Sequence, residues 1–175
     1  MNDMQHIFAA DDSPWKVTEF ARAEHDVHRL VEKYGAANCL FTRFIAPAKP
    51  SGEWVPYYKD WPFALKPADD PLWNVVPDLV PSVVNPTLDA STFGKWNADM
   101  AARLPKAQRI LLCGVSTDCC VLSTALSALE TGVQVLVVAD ACAGRSEEDH
   151  RRALDAIAVI YQPLARVTTL TELGI

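Results

Sequence analysis

No run of apolar residues in this sequence approaches the ~20 needed to cross a bilayer as a helix, so no membrane-spanning segment is expected. There is no basic stretch either. The 16 Lys and Arg are outnumbered by 22 Asp and Glu, for a net charge of −6, which argues against nucleic acid as a partner. The opening residues lack the charged, apolar and small-residue order of a secretory leader. Neither Cys-x-x-Cys nor His-x-x-x-His occurs, which removes two common metal-ligand spacings. His25 and His28 stand three apart with no third ligand near them, so no metal and no cofactor are expected. The five cysteines are odd in number and lack framework spacing, which fits a reducing cytosol and a cytoplasmic protein. Internal repeats and low-complexity segments are absent as well. What remains is an ordinary composition, half apolar and 22% charged over 175 residues. That length suits a single domain, residues 1–175, with a substantial core.

The most informative stretch runs from Ile110 to Gly144. Ile110 to Cys113 is a short apolar run ending at Gly114 and reads as a buried strand. Thr117 and Asp118 are N-cap-type residues. An Ala- and Leu-rich helical run follows them and stops at Gly132. Val133 to Val138 is again apolar and β-branched, which predicts a second buried strand. Strand, helix, strand in this span is a βαβ unit with parallel strands. Cys120 falls in the first turn of that helix. Free N–H groups and the helix dipole there favour an anion, which predicts a lowered thiol pKa and a place for an oxyanion. A nucleophile beside its own oxyanion donors suits acyl transfer. Spacing alone also allows both cysteines to be small core residues.

Gly114-Val-Ser-Thr-Asp-Cys-Cys-Val121, then Thr124-Ala125, Ala128, Gly132 and Asp140-Ala141, resemble the signature of the isochorismatase-like cysteine hydrolases. That superfamily includes nicotinamidases, N-carbamoylsarcosine amidohydrolases and isochorismatases. The resemblance implies that Cys120, the cysteine before the valine, is the nucleophile. It implies a non-proline cis peptide at Val115–Ser116 that aims the Ser116 N–H at the same point as the Cys120 N–H. It also implies a homo-oligomer, a dimer or tetramer.

Elsewhere the match is thinner. Asp3-Met-Gln5 and Phe8 resemble the family's end of a first strand, with Asp3 as the catalytic acid. The apolar residues that usually precede that aspartate are missing: only Met1 and Asn2 stand there. The expectation is either a native start further upstream or a sheet that begins with a stub. Metal-dependent nicotinamidases resembling this chain carry Asp-x-His after the second strand. Here that place reads Thr42-Arg43-Phe44-Ile45-Ala46, which removes the metal pair and argues against nicotinamide. The family lysine also lacks a counterpart, because either alignment of the Phe93 region puts Ala90 or Thr87 in its place. Lys95 is the nearest candidate.

In chain order, Ser13 and Pro14 predict the start of a helix that ends near Gly35. Asn38 to Phe44 predicts the second strand. Residues 45–80 hold seven of the twelve prolines and three of the five tryptophans. They predict a long irregular excursion over the C-terminal edge of the sheet, where open α/β folds bind ligands. On it, Tyr57 and Trp61 could wall a flat substrate, or simply pack the loop down. Arg43, just before it, could hold a carboxylate, or make a surface ion pair. Ser82 to Asn85 predicts a short third strand, 94–104 a helix, Ser146 an N-cap with an acidic first turn, and Ala165 to Leu170 the last strand.

The expected fold is therefore α/β, a doubly wound parallel sheet with helices on both faces and a clipped first strand. The resemblance implies a cysteine hydrolase that cleaves a C–N bond in a small amide or carbamoyl molecule through a Cys120 thioester. The site residues it implies are Asp3, Cys120 and Lys95 for catalysis, and Val115, Ser116 and Cys120 for the oxyanion turn. Phe8, Arg43, Tyr57, Trp61 and Thr117 are the candidates for contacting substrate. Three other readings stay open: an impaired relative that only binds, a redox protein using Cys119 and Cys120, and an ether hydrolase of the isochorismatase type. A retained nucleophile counts against the last.

Overall fold

The computed structural model describes residues 1–105 and 107–175. Its helices are α1 (His6–Ala9), α2 (Phe20–Tyr34), α3 (Trp54–Asp60), α4 (Ala98–Arg103), α5 (Leu122–Leu129) and α6 (Glu147–Ile160). Its strands are β1 (Thr42–Phe44), β2 (Leu88–Ala90), β3 (Arg109–Val115), β4 (Gln134–Ala143) and β5 (Ala165–Thr168). All pair in parallel: β1 with β2, and β3 with β4 and β5. This is the expected α/β architecture. The βαβ unit stands where the sequence put it, from β3 through α5 to β4.

The chain's first three residues join the two groups of strands. Asn2 N–H donates to Cys113 O (2.7 Å), and Val115 N–H donates to Asn2 O (3.0 Å). On the other side Thr42 N–H donates to Met1 O (3.0 Å). The stub thus satisfies both facing strand edges, whose buried backbone groups otherwise lack partners. Below it, a cavity of about 430 Å³ lies between Leu40 and Ile110, lined also by Leu30, Met100 and Leu136.

Gly114 makes the stub's approach possible. It sits at φ +109, and a Cβ there would lie 2.1 Å from Asn2 O, so backbone would meet backbone. Gly114→Ala is expected to cost about 3 kcal/mol or more, combining left-handed strain with displacement of the stub. Denaturant unfolding would measure this, and an unchanged midpoint would refute the packing.

Several boundaries differ from expectation. The first long helix starts at Phe20, not Pro14. Ser13 Oγ instead accepts the Trp15 N–H (3.2 Å) and so closes a turn. The second strand is only Thr42–Phe44, because Ala36–Asn38 winds into a 3-10 turn. No strand forms at 82–85. Pro77–Ser82 is 3-10 helical, and the pairing partner of β1 is Leu88–Ala90. Pro81 and Pro86 flank the misread run and supply no N–H to a ladder. The 45–80 excursion is partly regular, carrying α3 and short 3-10 turns. The helix near 94–104 begins only at Ala98, capped by Asn97 Oδ1 accepting the Met100 N–H (2.9 Å). At α6 the expected cap is present: Ser146 Oγ accepts the Asp149 N–H (3.1 Å).

The excursion is pinned by Gln5. Its carboxamide donates to Phe44 O (3.0 Å) and Trp73 O (2.7 Å) and accepts the Phe44 N–H (2.7 Å). One buried side chain thereby fixes the end of β1, the excursion and the residue after Asp3–Met4 together.

Candidate active site

Parallel strands deliver their C-terminal ends to one edge of the sheet, and the turns beyond them converge there. The stub brings Asp3, β1 brings Phe44, β2 leads to Phe93 and Lys95, β3 leads to Ser116–Cys120, and β4 leads to Arg145. Between these turns and the excursion lies a cavity of about 570 Å³. Its floor is Ser116, Asp118, Cys119 and Cys120. Its walls are aromatic: Phe8, Trp15, Phe44, Tyr57, Trp61 and Phe93.

Asp3 and Lys95 lie beneath that floor, both with fully buried side chains and with Lys95 Nζ 2.8 Å from Asp3 Oδ2. A buried charge persists only if paired and hydrogen-bonded, and the surroundings meet that demand. Thr42 Oγ1 donates to Asp3 Oδ1 (2.7 Å). The Lys95 ammonium donates to Thr92 O (2.8 Å) and Phe93 O (3.0 Å), and it lies 5.3 Å from the Phe44 ring centroid. Among the described residues no aligned hydrogen bond reaches Asp3 Oδ2. The lysine approaches that oxygen as an ion contact. Burial alone would lower the Lys95 pKa, but the neighbouring Asp3 carboxylate outweighs it and holds the ammonium charged.

The turn after β3 carries a cis peptide at Val115–Ser116. Thr117–Val121 winds as a π-helical turn rather than as the start of an α-helix. Ser116 O accepts the N–H groups of both Cys119 (3.2 Å) and Val121 (3.0 Å). In so wide a turn successive side chains diverge less than in an α-helix, and both cysteines reach the cavity. The neighbouring Cys119 and Cys120 thiols act on each other, which raises Cys120 and lowers Cys119. Burial and Asp3 push Cys120 up further, against the pull of Lys95. The lowered Cys120 pKa expected from a helix N-terminus is therefore corrected. Thiol contact, burial and a carboxylate outweigh the dipole, and Cys120 rests as a protonated thiol. Burial likewise pushes the Tyr57 phenol up, keeping it a neutral hydroxyl in the cavity wall.

The structure brings Asp3, Lys95, Ser116, Cys120, Phe8, Tyr57 and Trp61 to this place, with Val115 directly behind. Two candidates lie elsewhere. Arg43 holds the Asp89 carboxylate with two bonds, Nε–Oδ1 at 2.8 Å and Nη2–Oδ2 at 2.5 Å, and opens on a different groove. Strand alternation points it away from the face of Thr42 and Phe44. Thr117 is fully buried, and its hydroxyl meets His150 Nδ1 at 2.8 Å. It supports the turn from behind instead of facing the cavity. Trp15 and Phe93 were not anticipated. Trp15 gathers the wall, with ring centroids 5.2 Å from Phe63, 5.7 Å from Phe44 and 6.0 Å from Trp61. An Ser-Pro-Trp turn signal was visible in the sequence, but nothing local said that it folds over the cysteine turn. Among the described residues no cluster of three His, Cys, Asp or Glu side chains could hold a metal. No helix among them is long and apolar enough to cross a membrane.

The isochorismatase-domain profile matches residues 1–172. The chain belongs to the isochorismatase family. A cysteine hydrolase from Pseudomonas syringae pv. phaseolicola 1448A superposes on 99% of this chain and 88% of its own, with TM-score 0.81 and 21% identity. N-carbamoylsarcosine amidase from Thermoplasma acidophilum covers 96% of this chain and 92% of its own, with TM-score 0.75 and 20% identity. At such identities these likenesses establish the fold. Among curated proteins, isochorismatase domain-containing protein 2 of Bos taurus is 49% identical over 53 residues, which is 30% of this chain. The match spans 26% of that relative's length.

Proposed function

We propose that this isochorismatase-family protein hydrolyses a C–N bond in a small amide or carbamoyl compound through a thioester on Cys120. The observation that carries the reading is the fully buried Asp3–Lys95 pair set against a buried thiol at the floor of an aromatic cavity. A protonated thiol needs a base, and the Asp3 carboxylate is the base at hand. Cys120 Sγ attacks the carbonyl carbon while its proton passes to Asp3 Oδ2. The carbonyl oxygen becomes an oxyanion held by the Ser116 and Cys120 N–H groups. As the C–N bond breaks, Asp3 returns the proton to the leaving nitrogen. Water then attacks the thioester, giving one proton to Asp3, which passes it to the departing sulfur. Lys95 stays charged throughout and offsets the negative charge shared between Asp3 and Cys120. Cleavage of an amide is in keeping with the name of the N-carbamoylsarcosine amidase that shares the fold.

The decisive experiment is turnover against formamide, isobutyramide, benzamide, urea and N-carbamoylglycine, with ammonia release as the readout. No turnover of any of them, together with tight binding of one, would favour a non-catalytic binding protein. The aromatic walls favour a flat or branched apolar group. Trp15→Ala is accordingly expected to lower kcat/KM for benzamide by about tenfold or more relative to formamide, since burying such a ring is worth ~1.5–3 kcal/mol. Equal losses for both amides would mean that Trp15 does not line the substrate's path.

A further inference from the structure

One side chain is bonded to all three chain segments that carry the acid, the lysine and the thiol. Thr124 lies on α5, fully buried. Its Oγ1 donates to Cys120 O (2.7 Å), accepts the Lys95 N–H (3.0 Å), and accepts Asn2 Nδ2–H (3.4 Å). A hydroxyl has one proton and two lone pairs, so these three bonds use its whole capacity. Asn2 in turn is fixed between Cys113 and Val115 of β3 and precedes Asp3. The loop bearing Lys95 is seated on the same helix at Gly94, where a Cβ would lie 3.1 Å from Ser127 Oγ and 3.2 Å from Ser123 O. Lys95 stands on an irregular loop between β2 and α4, not on a strand. Its backbone needs an anchor if the ammonium is to stay 2.8 Å from Asp3.

We propose that Thr124 is a positioning residue that locks Lys95, Cys120 and the Asp3 segment into one arrangement, acting through their backbones and through Asn2. It touches neither substrate nor the reacting atoms. The proposal rests on the hydrolase reading for its purpose, but not for its test. The groups facing Cys120 are Cys119 on its own turn, Asp3 from the stub and Lys95 from the loop after β2. Lys95 favours the thiolate and Asp3 opposes it, so release of the Lys95 loop takes away the favourable charge.

The experiment is the pH profile of Cys120 alkylation by iodoacetamide, measured with no substrate present and in a Cys119→Ala background so that one thiol of the turn reports. Thr124→Val keeps the shape and removes all three bonds. It is expected to shift the alkylation profile to higher pH and to slow alkylation at neutral pH by about tenfold, the loss of thiolate that a rise of about one pKa unit brings. Thr124→Ser, which keeps the hydroxyl, is expected to return the profile to that of the parent. A folded Thr124→Val protein with the parent profile would overturn the proposal, and so would a Ser variant as impaired as Val. If Thr124→Val does not fold, Thr124→Ala is read in the same way. Failure of every amide in the substrate screen would count against the hydrolase reading alone, because alkylation needs no turnover.

Discussion

Replacing Cys120 with alanine or serine is expected to reduce amide hydrolysis by roughly 10⁴-fold or more, the range seen when a nucleophile is removed from a preorganised site. Fold and thermal midpoint should be nearly unchanged, because the side chain is small and the turn is held by backbone bonds to Ser116 O and by the Ser116 hydroxyl on Asp118. Serine is no substitute. Its hydroxyl is a far weaker nucleophile than sulfur at neutral pH. Cys119→Ala is the informative comparison. Cys119 also reaches the cavity and adjoins Cys120, so some change is expected, but less than about tenfold if Cys120 is the nucleophile. Steady-state kinetics on any amide found in the screen, with circular dichroism as the control for folding, would measure both. Equal loss from the two substitutions would mean that nucleophile and neighbour have been interchanged.

Asp3→Asn is expected to lower turnover by about 10²- to 10⁴-fold, the usual contribution of a positioned acid–base group. It should also destabilise the protein by about 3–5 kcal/mol, because Lys95 would remain charged and buried with no anion. Both side chains are 0% exposed, so neither water nor salt can take the missing partner's place. The two effects separate in a double substitution. Lys95→Met in the Asp3→Asn background removes the stranded charge and should recover part of the stability, making the pair non-additive. It should recover no turnover, because the base is still missing. Unfolding midpoints of the four proteins close this cycle. Full activity in Asp3→Asn would remove the base from the mechanism, and additive stability losses would mean that the ion pair does not act as a unit.

The α/β class was legible in the sequence, because each βαβ signal is local. An apolar run closed by Gly114, an Ala- and Leu-rich helix closed by Gly132, and a second β-branched run repeat the pattern that only a parallel sheet satisfies. The cysteine turn was legible for the same reason, being one contiguous stretch. The strand at Leu88–Ala90 was not. Three residues carry too little period to outweigh the valines at 83 and 84, and only pairing with β1 selects them. Lys95 shows the limit more sharply. Beside a turn and before a helix, its sequence environment is that of a solvated lysine, and the alignment with relatives leaves the lysine position to Ala90 or Thr87. Burial under Phe44 and against Asp3 is a product of the Gly94 seat on α5 and the Thr124 bond, contacts about thirty residues distant in sequence. Arg43 shows the reverse: it could have held a substrate carboxylate or made a surface ion pair, and strand alternation aims it at Asp89 outside the cavity, the second outcome. Sequence by itself determined which chemical groups were available and on which kind of element. Tertiary structure alone decided which of them meet in one buried place, because pKa, reach and pairing depend on neighbours that the chain supplies from far away.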